Sequence, residues 1–174
     1  EIDVIRNLLN QCLSDDKNIL EAKWLLARTY FHTEDHQKAK TLSSKVIKEG
    51  EKTGNYNIVA HVLRMLGSHY TFMRDYNRAI EYNQRALGIS KKINDTYNIA
   101  RSTCSLGWTY AESNLESREK IIDMFESSLV IYEELEDIRG RVDTYLDLSF
   151  VHFIYELDKS LEYIKLGHEL SKIS

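Results

Sequence analysis

The chain has 174 residues, no proline, seven glycines, two cysteines and a net charge of −4. That length suits one compact domain or a short repeat array, and the negative balance excludes direct nucleic-acid contact through a broadly basic surface. No apolar run reaches the ~20 residues a membrane helix needs, no leader-like pairing of basic start and apolar stretch is present, and two cysteines make no disulfide framework, so a cytoplasmic protein with free thiols and no membrane partner is expected.

Without proline the chain has few enforced breaks, and long helices are the natural expectation. The first, in 1–17, is a lone amphipathic helix carrying Ile2, Ile5, Leu8, Leu9 and Cys12, read as part of an upstream repeat or as a cap. Because a stacked array needs covered ends and the chain begins at Glu1, the native protein is expected to extend further.

From there the sequence repeats. Leu26, Leu66 and Leu106 are spaced by 40, as are Ala27, Gly67 and Gly107, and Tyr30, Tyr70 and Tyr110; Ala39 and Ala79 share the interval. The copies are placed at 18–55, 56–96 and 97–138. In the third, "LESREKIIDMFESSL" holds two extra residues before Leu129, the counterpart of Leu87. A divergent fourth copy occupies 139–174, with Leu148 at the Leu66 position.

Each copy reads as two helices. In the second, Val59, Leu63, Leu66 and Tyr70 make one apolar stripe, Arg74-Asp75 a tight polar turn, and Tyr76, Ala79, Ile80, Ala86 and Leu87 the next stripe. Copy four offers Leu161, Tyr163, Ile164 and Leu170, and no strand-like alternation of useful length appears. A glycine inside a helix costs ~1 kcal/mol relative to alanine, so Gly67 and Gly107 are expected where a larger side chain would clash. Ala79, Ala86 and Gly167 are the expected small partners, with the three tyrosines as wedges.

Leu66, Gly67, Tyr70, Ala79 and Ala86, with Leu106, Gly107 and Tyr110 and with Leu26, Ala27, Tyr30 and Ala39, resemble the tetratricopeptide repeat pattern over about residues 19–174. The resemblance implies an all-α fold, an α-α superhelix or solenoid of antiparallel helix pairs. The interval of 40 in place of the usual 34, the missing proline, Trp24 one position off the family's tryptophan and Leu148-Ser149 in place of Leu-Gly are departures. Long repeats of this kind look like those of bacterial regulators, such as the maltose regulator and peptide-pheromone receptors, and of animal spindle-orientation scaffolds.

The resemblance further implies that the first helix of each pair lines a concave face. Positions off the packing stripe nominate Trp24, Arg28 and Phe31; His61, Arg64, Ser68 and Phe72; Arg101, Cys104 and Trp108; and Asp143, Leu146, Phe150 and Phe153. Of these, Trp24, Arg28, Phe31, Arg64, Ser68, Phe72, Arg101, Trp108 and Phe150 are the candidate partner-binding residues. Arginines grip carboxylates in pairs of hydrogen bonds and aromatics pack apolar side chains, so a protein or peptide segment with acidic and apolar residues is the expected partner. Some family members hold a C-terminal carboxylate with Lys and Asn residues; Arg28 and Arg101 fall at such positions but the asparagines are missing, and that mode is not expected.

His32 and His36 have a metal-compatible spacing, yet Glu34 gives no third ligand on the same side, so neither metal nor cofactor is expected. No phosphate-cradling loop or nucleophile motif points to an enzyme. Two alternatives to a protein-binding domain remain: a peptide- or small-ligand-sensing regulatory domain of a larger transcription or signalling protein, and a self-associating array, an oligomer built through exposed end helices.

Overall fold

The computed structural model describes residues 2–15, 19–33, 35–153 and 155–173. Those residues form nine helices and no strand: α1 (Ile2–Asp15), α2 (Leu20–His32), α3 (His36–Thr53), α4 (Tyr56–Phe72), α5 (Tyr76–Lys92), α6 (Thr96–Ser113), α7 (Arg118–Glu134), α8 (Ile138–His152) and α9 (Leu157–Ser171). Glu34 lies outside the described residues.

One device ends and restarts the helices. A residue in the left-handed region, Gly54, Arg74, Asn94 or Glu136, reverses the chain immediately before the next N-cap. The cap is usually an aspartate whose carboxylate accepts the backbone N–H three residues on: Asp75 from Arg78 at 3.3 Å, Asp95 from Asn98 at 3.0 Å, Asp137 from Gly140 at 3.1 Å. Each such cap contributes ~1 kcal/mol and satisfies one of the donors a helix start leaves open. Turns this short force antiparallel neighbours.

Successive helices pack in chain order, and the first helices also touch one another, α2 on α4, α4 on α6 and α6 on α8. The second helices, α3, α5, α7 and α9, make no such contacts among the described residues. A stack whose α2, α4, α6 and α8 lie closer together than its other row is curved, with those four helices on the inside. This is an α-α superhelix.

Two apolar clusters hold it. Leu20, Val46, Val59, Val62, Leu63 and Leu66 fill the space among α2, α3 and α4, while Ile121, Phe125 and Leu148 join α7 to α8. Full burial of such side chains stabilises by ~1.5–3 kcal/mol each. Between the clusters lies a polar seam. The Asn83 amide donates to the Ser105 carbonyl at 3.3 Å and to Thr109 Oγ1 at 3.0 Å, and the Thr71 and Thr109 hydroxyls meet at 2.8 Å.

The recurring glycines do sit at close approaches, but their opponents differ from the expected alanines. A Cβ on Gly67 would overlap the Asn83 side chain, and one on Gly107 would stand 3.2 Å from Phe125. Asn83 and Phe125 hold equivalent positions on α5 and α7, so both glycines face the middle of the following helix. Gly167 faces Tyr145 at an ordinary 3.5 Å. Tyr70 is buried and stacks on Tyr82, with ring centres 5.5 Å apart. On α1, Arg6 reaches Thr29 and Tyr30 of α2, while Ile2, Ile5 and Leu8 remain exposed.

Candidate functional site

The inner row places a depression of about 760 Å³ across α4, α6 and α8. Helical periodicity explains its walls. Arg64, Ser68 and Phe72 recur every fourth residue along α4, and Arg101, Cys104 and Trp108 run down the matching face of α6. Asp143 and Asp147, again four apart, come from α8. Tyr132 of α7 reaches the floor because Gly140 makes way: a Cβ there would stand 2.5 Å from the tyrosine ring.

That accommodation follows the repeat. Gly50, Ser90 and Tyr132 are equivalent positions near the ends of second helices; Ile58, Asn98 and Gly140 are equivalent positions near the starts of the following first helices. All six are buried. Of Gly50, Ser90 and Tyr132, Tyr132 lines the depression, and the glycine opposite it at 140 leaves room for its ring.

Charges of both signs line the site: Arg64 of α4 and Arg101 of α6, Asp143 and Asp147 of α8, and with them Arg74, Glu112, Asp137 and Arg139. Arg64 and Arg101 face the cavity, and neither forms an ion pair among the described residues. The Arg64 Nε is sealed from solvent and has no hydrogen-bond partner among the described residues. Burial, and then the Arg101 charge, push its guanidinium down to about 10. Arg101 Nη1 donates to the Tyr97 hydroxyl at 2.8 Å, which steadies its head. Burial, reinforced by Arg64, Arg101 and Arg28, also drives the neighbouring His61 down to about 4. On α8, burial and the Asp143 charge raise the Asp147 carboxyl to about 7. Neither Asp143 nor Asp147 forms an ion pair among the described residues.

Five of the nine sequence-nominated residues line this depression together: Arg64, Ser68, Phe72, Arg101 and Trp108. Phe150 lines a smaller adjoining hollow, with its ring 5.0 Å from Trp108. Trp24, Arg28 and Phe31 do not line the depression. Trp24 packs on His61 at 4.5 Å and Phe31 on His69 at 4.7 Å, both filling the gap between α2 and α4, because short imidazoles on α4 leave room there. Arg28 is exposed beside the Trp24 ring, its charge felt at His61. Tyr97, Tyr132 and Asp147 were not nominated. The four-residue step from Asp143 would have found Asp147, and the glycine at 140 was the signal for Tyr132.

Burial raises the Cys104 thiol, which makes it a packed wall residue with muted nucleophilicity. The His36 ring packs on His69 at 4.7 Å. No group of three His, Cys, Asp or Glu side chains among the described residues has metal-binding geometry, and none of their helices is long and apolar enough to cross a membrane.

Comparison with known proteins follows the same lines. Residues 18–92 match the sequence model described as tetratricopeptide repeat. No curated protein matches the chain. Among solved structures, a Rap protein complexed with competence and sporulation factor is similar with a TM-score of 0.85 at 17% identity, over 98% of this chain and 48% of that one. Aspartyl phosphate phosphatase F from Bacillus subtilis is similar with a TM-score of 0.77 at 15% identity, over 88% of this chain and 40% of that one. A putative kinesin light chain from Podosopora anserina, with nearly identical TPR-like repeats, is similar with a TM-score of 0.67 at 17% identity, over 99% and 90% of the two chains. The chain therefore spans half or less of the first two proteins' length, and identities this low carry the fold alone. Residues 18–92 thus match the tetratricopeptide repeat model, and a helical solenoid fold is shared with these structures along nearly all of the chain's length.

Proposed function

We propose that this chain is a non-catalytic interaction domain that holds a segment of a partner protein in the depression across α4, α6 and α8. The observation that carries the proposal is a pair of arginines, Arg64 and Arg101, facing the cavity without ion-pair partners among the described residues, beside Trp108 and an 81%-exposed Phe72. An unpaired, partly desolvated guanidinium is costly to keep, and a ligand carboxylate held by two hydrogen bonds offsets that cost. Aromatic rings next to it bury a partner's apolar side chains, the composition in which binding energy concentrates. Rigid helices present these groups preformed, so little ordering cost falls on this side of the complex. A solved protein of the same fold is complexed with a competence and sporulation factor, which supports the same use of the solenoid here.

The test is capture of partners on the immobilised domain, followed by peptide mapping and affinity measurement. Arg64→Glu with Arg101→Glu should weaken the mapped segment at least tenfold while the helical content is kept. Equal binding by the altered and parent domains would remove these arginines from the site.

A second reading, a ligand-sensing regulatory domain, draws on the polar seam between the two apolar clusters. In that seam α5 meets α6 through side-chain hydrogen bonds, Asn83 to Ser105 and Thr109. A DNA-binding or catalytic domain in adjoining sequence would favour sensing over scaffolding.

A further inference from the structure

The mixed charge of the lining narrows the partner's chemistry. A ligand with only acidic groups would satisfy Arg64 and Arg101 but bring like charge toward Asp143 and Asp147. A ligand with only basic groups would meet the reverse penalty. All four groups line one cavity, and none neutralises another: Arg64, Arg101, Asp143 and Asp147 enter no ion pair among the described residues. The sealed Nε of Arg64 has no internal acceptor among the described residues.

Resting on the groove reading above, we propose that the depression selects a mixed-charge peptide segment, seating an acidic side chain on Arg64 and Arg101 and a basic side chain on Asp143 and Asp147. Trp108 lines the same cavity from α6 and takes an apolar residue of the segment. Neighbouring helices pack ~8–10 Å apart, and an extended chain advances ~3.3 Å per residue. The two charges therefore lie about three residues apart when the carboxylate uses Arg101, and about five or six when it reaches Arg64. Order matters as well as composition, because the lining charges are fixed while the peptide has a direction.

The test uses fluorescein-labelled twelve-residue peptides of equal apolar content, read by fluorescence anisotropy at low salt. One set carries Glu and Lys three or five residues apart in both orders; the controls carry two Glu or two Lys. At least one mixed peptide should bind tenfold or more tighter than either control, and its reversed order should bind less well. Asp143→Asn with Asp147→Asn should erase the advantage over the two-Glu peptide and leave two-Glu binding unchanged or improved. Arg101→Gln, a change at a half-exposed head, should erase the advantage over the two-Lys peptide. If two-Glu peptides bind as tightly as mixed ones and the aspartate changes make no difference, the mixed-charge proposal fails while the groove reading stands. If no peptide of any class binds, both fail.

Discussion

Gly67→Ala and Gly88→Ala are the same chemical change on adjacent helices, and the structure gives them opposite signs. At Gly88 nothing lies within 4 Å of the added methyl, so only backbone entropy and helix propensity act, and stability should rise by ~0.5–1 kcal/mol. At Gly67 the methyl overlaps the Asn83 amide, whose side chain is fully buried and donates to Ser105 and Thr109. Asn83 must give up those two bonds, at ~0.5–1.5 kcal/mol each, and the overpacked seam adds ~1–3 kcal/mol. After the propensity gain, Gly67→Ala should destabilise by ~1–5 kcal/mol. Equilibrium urea unfolding followed by circular dichroism at 222 nm separates the two, provided the m-value is unchanged. A third arm checks the cause. Ala27 and Ser43, both fully buried, hold the positions equivalent to Gly67 and Asn83. Gly67→Ala combined with Asn83→Ser should therefore be little worse than Asn83→Ser alone, a clear departure from additivity. Equal stability of Gly67→Ala and the parent, or strict additivity in the double variant, would refute the close-approach reasoning.

Asp147 makes stability depend on pH. Its carboxyl rises from the ordinary 3.8 to about 7 in the fold, so between those values the folded state binds more protons and stability falls as pH rises, by at most about 4 kcal/mol in all. The difference in unfolding free energy between Asp147→Asn and the parent, measured from pH 4 to 8, should grow in the variant's favour across that window and be level above it. His61 acts in the opposite direction. Held near 4 against an ordinary 6.5, it is neutral in the fold, so stability is lost as pH falls below 6.5, and His61→Gln should blunt that loss in the same titration. Trp24→Ala should cost ~2–4 kcal/mol in urea unfolding because the ring fills the α2–α4 gap. Phe72→Ala, at a side chain 81% exposed, should stay within ~0.5 kcal/mol in the same assay yet weaken binding of a mapped partner segment.

The helices and their pairing were legible because each copy repeats the same apolar stripe every 40 or so residues, and because short turns leave antiparallel packing as the only outcome. The opponents of the glycines were not. Alanine against glycine is the expected close pair, yet the fold places a buried asparagine there, a polar residue whose burial depends on Thr109 one repeat further on. Arg64, Ser68, Phe72, Arg101 and Trp108 could be grouped from sequence since their spacing puts them on one face of α4 and the matching face of α6. Trp24 and Phe31 obey the same spacing and still fill a gap, because what decides is the size of His61 and His69 across the interface. The aspartate pair of α8 stayed half hidden for a related reason. Asp147 reads as a solvated helix residue until its neighbours on α6 are known.

The most direct test of a binding surface on the inner row is the emission of Trp108. With Trp24 replaced by phenylalanine, Trp108 is the chain's single tryptophan, and it lines the depression. Saturation with a captured partner segment should shift its emission to shorter wavelength as the ring loses water, and Arg64→Glu with Arg101→Glu should move the titration midpoint to higher concentration. Saturable binding with an unchanged Trp108 spectrum and an unchanged midpoint would place the partner elsewhere on the molecule.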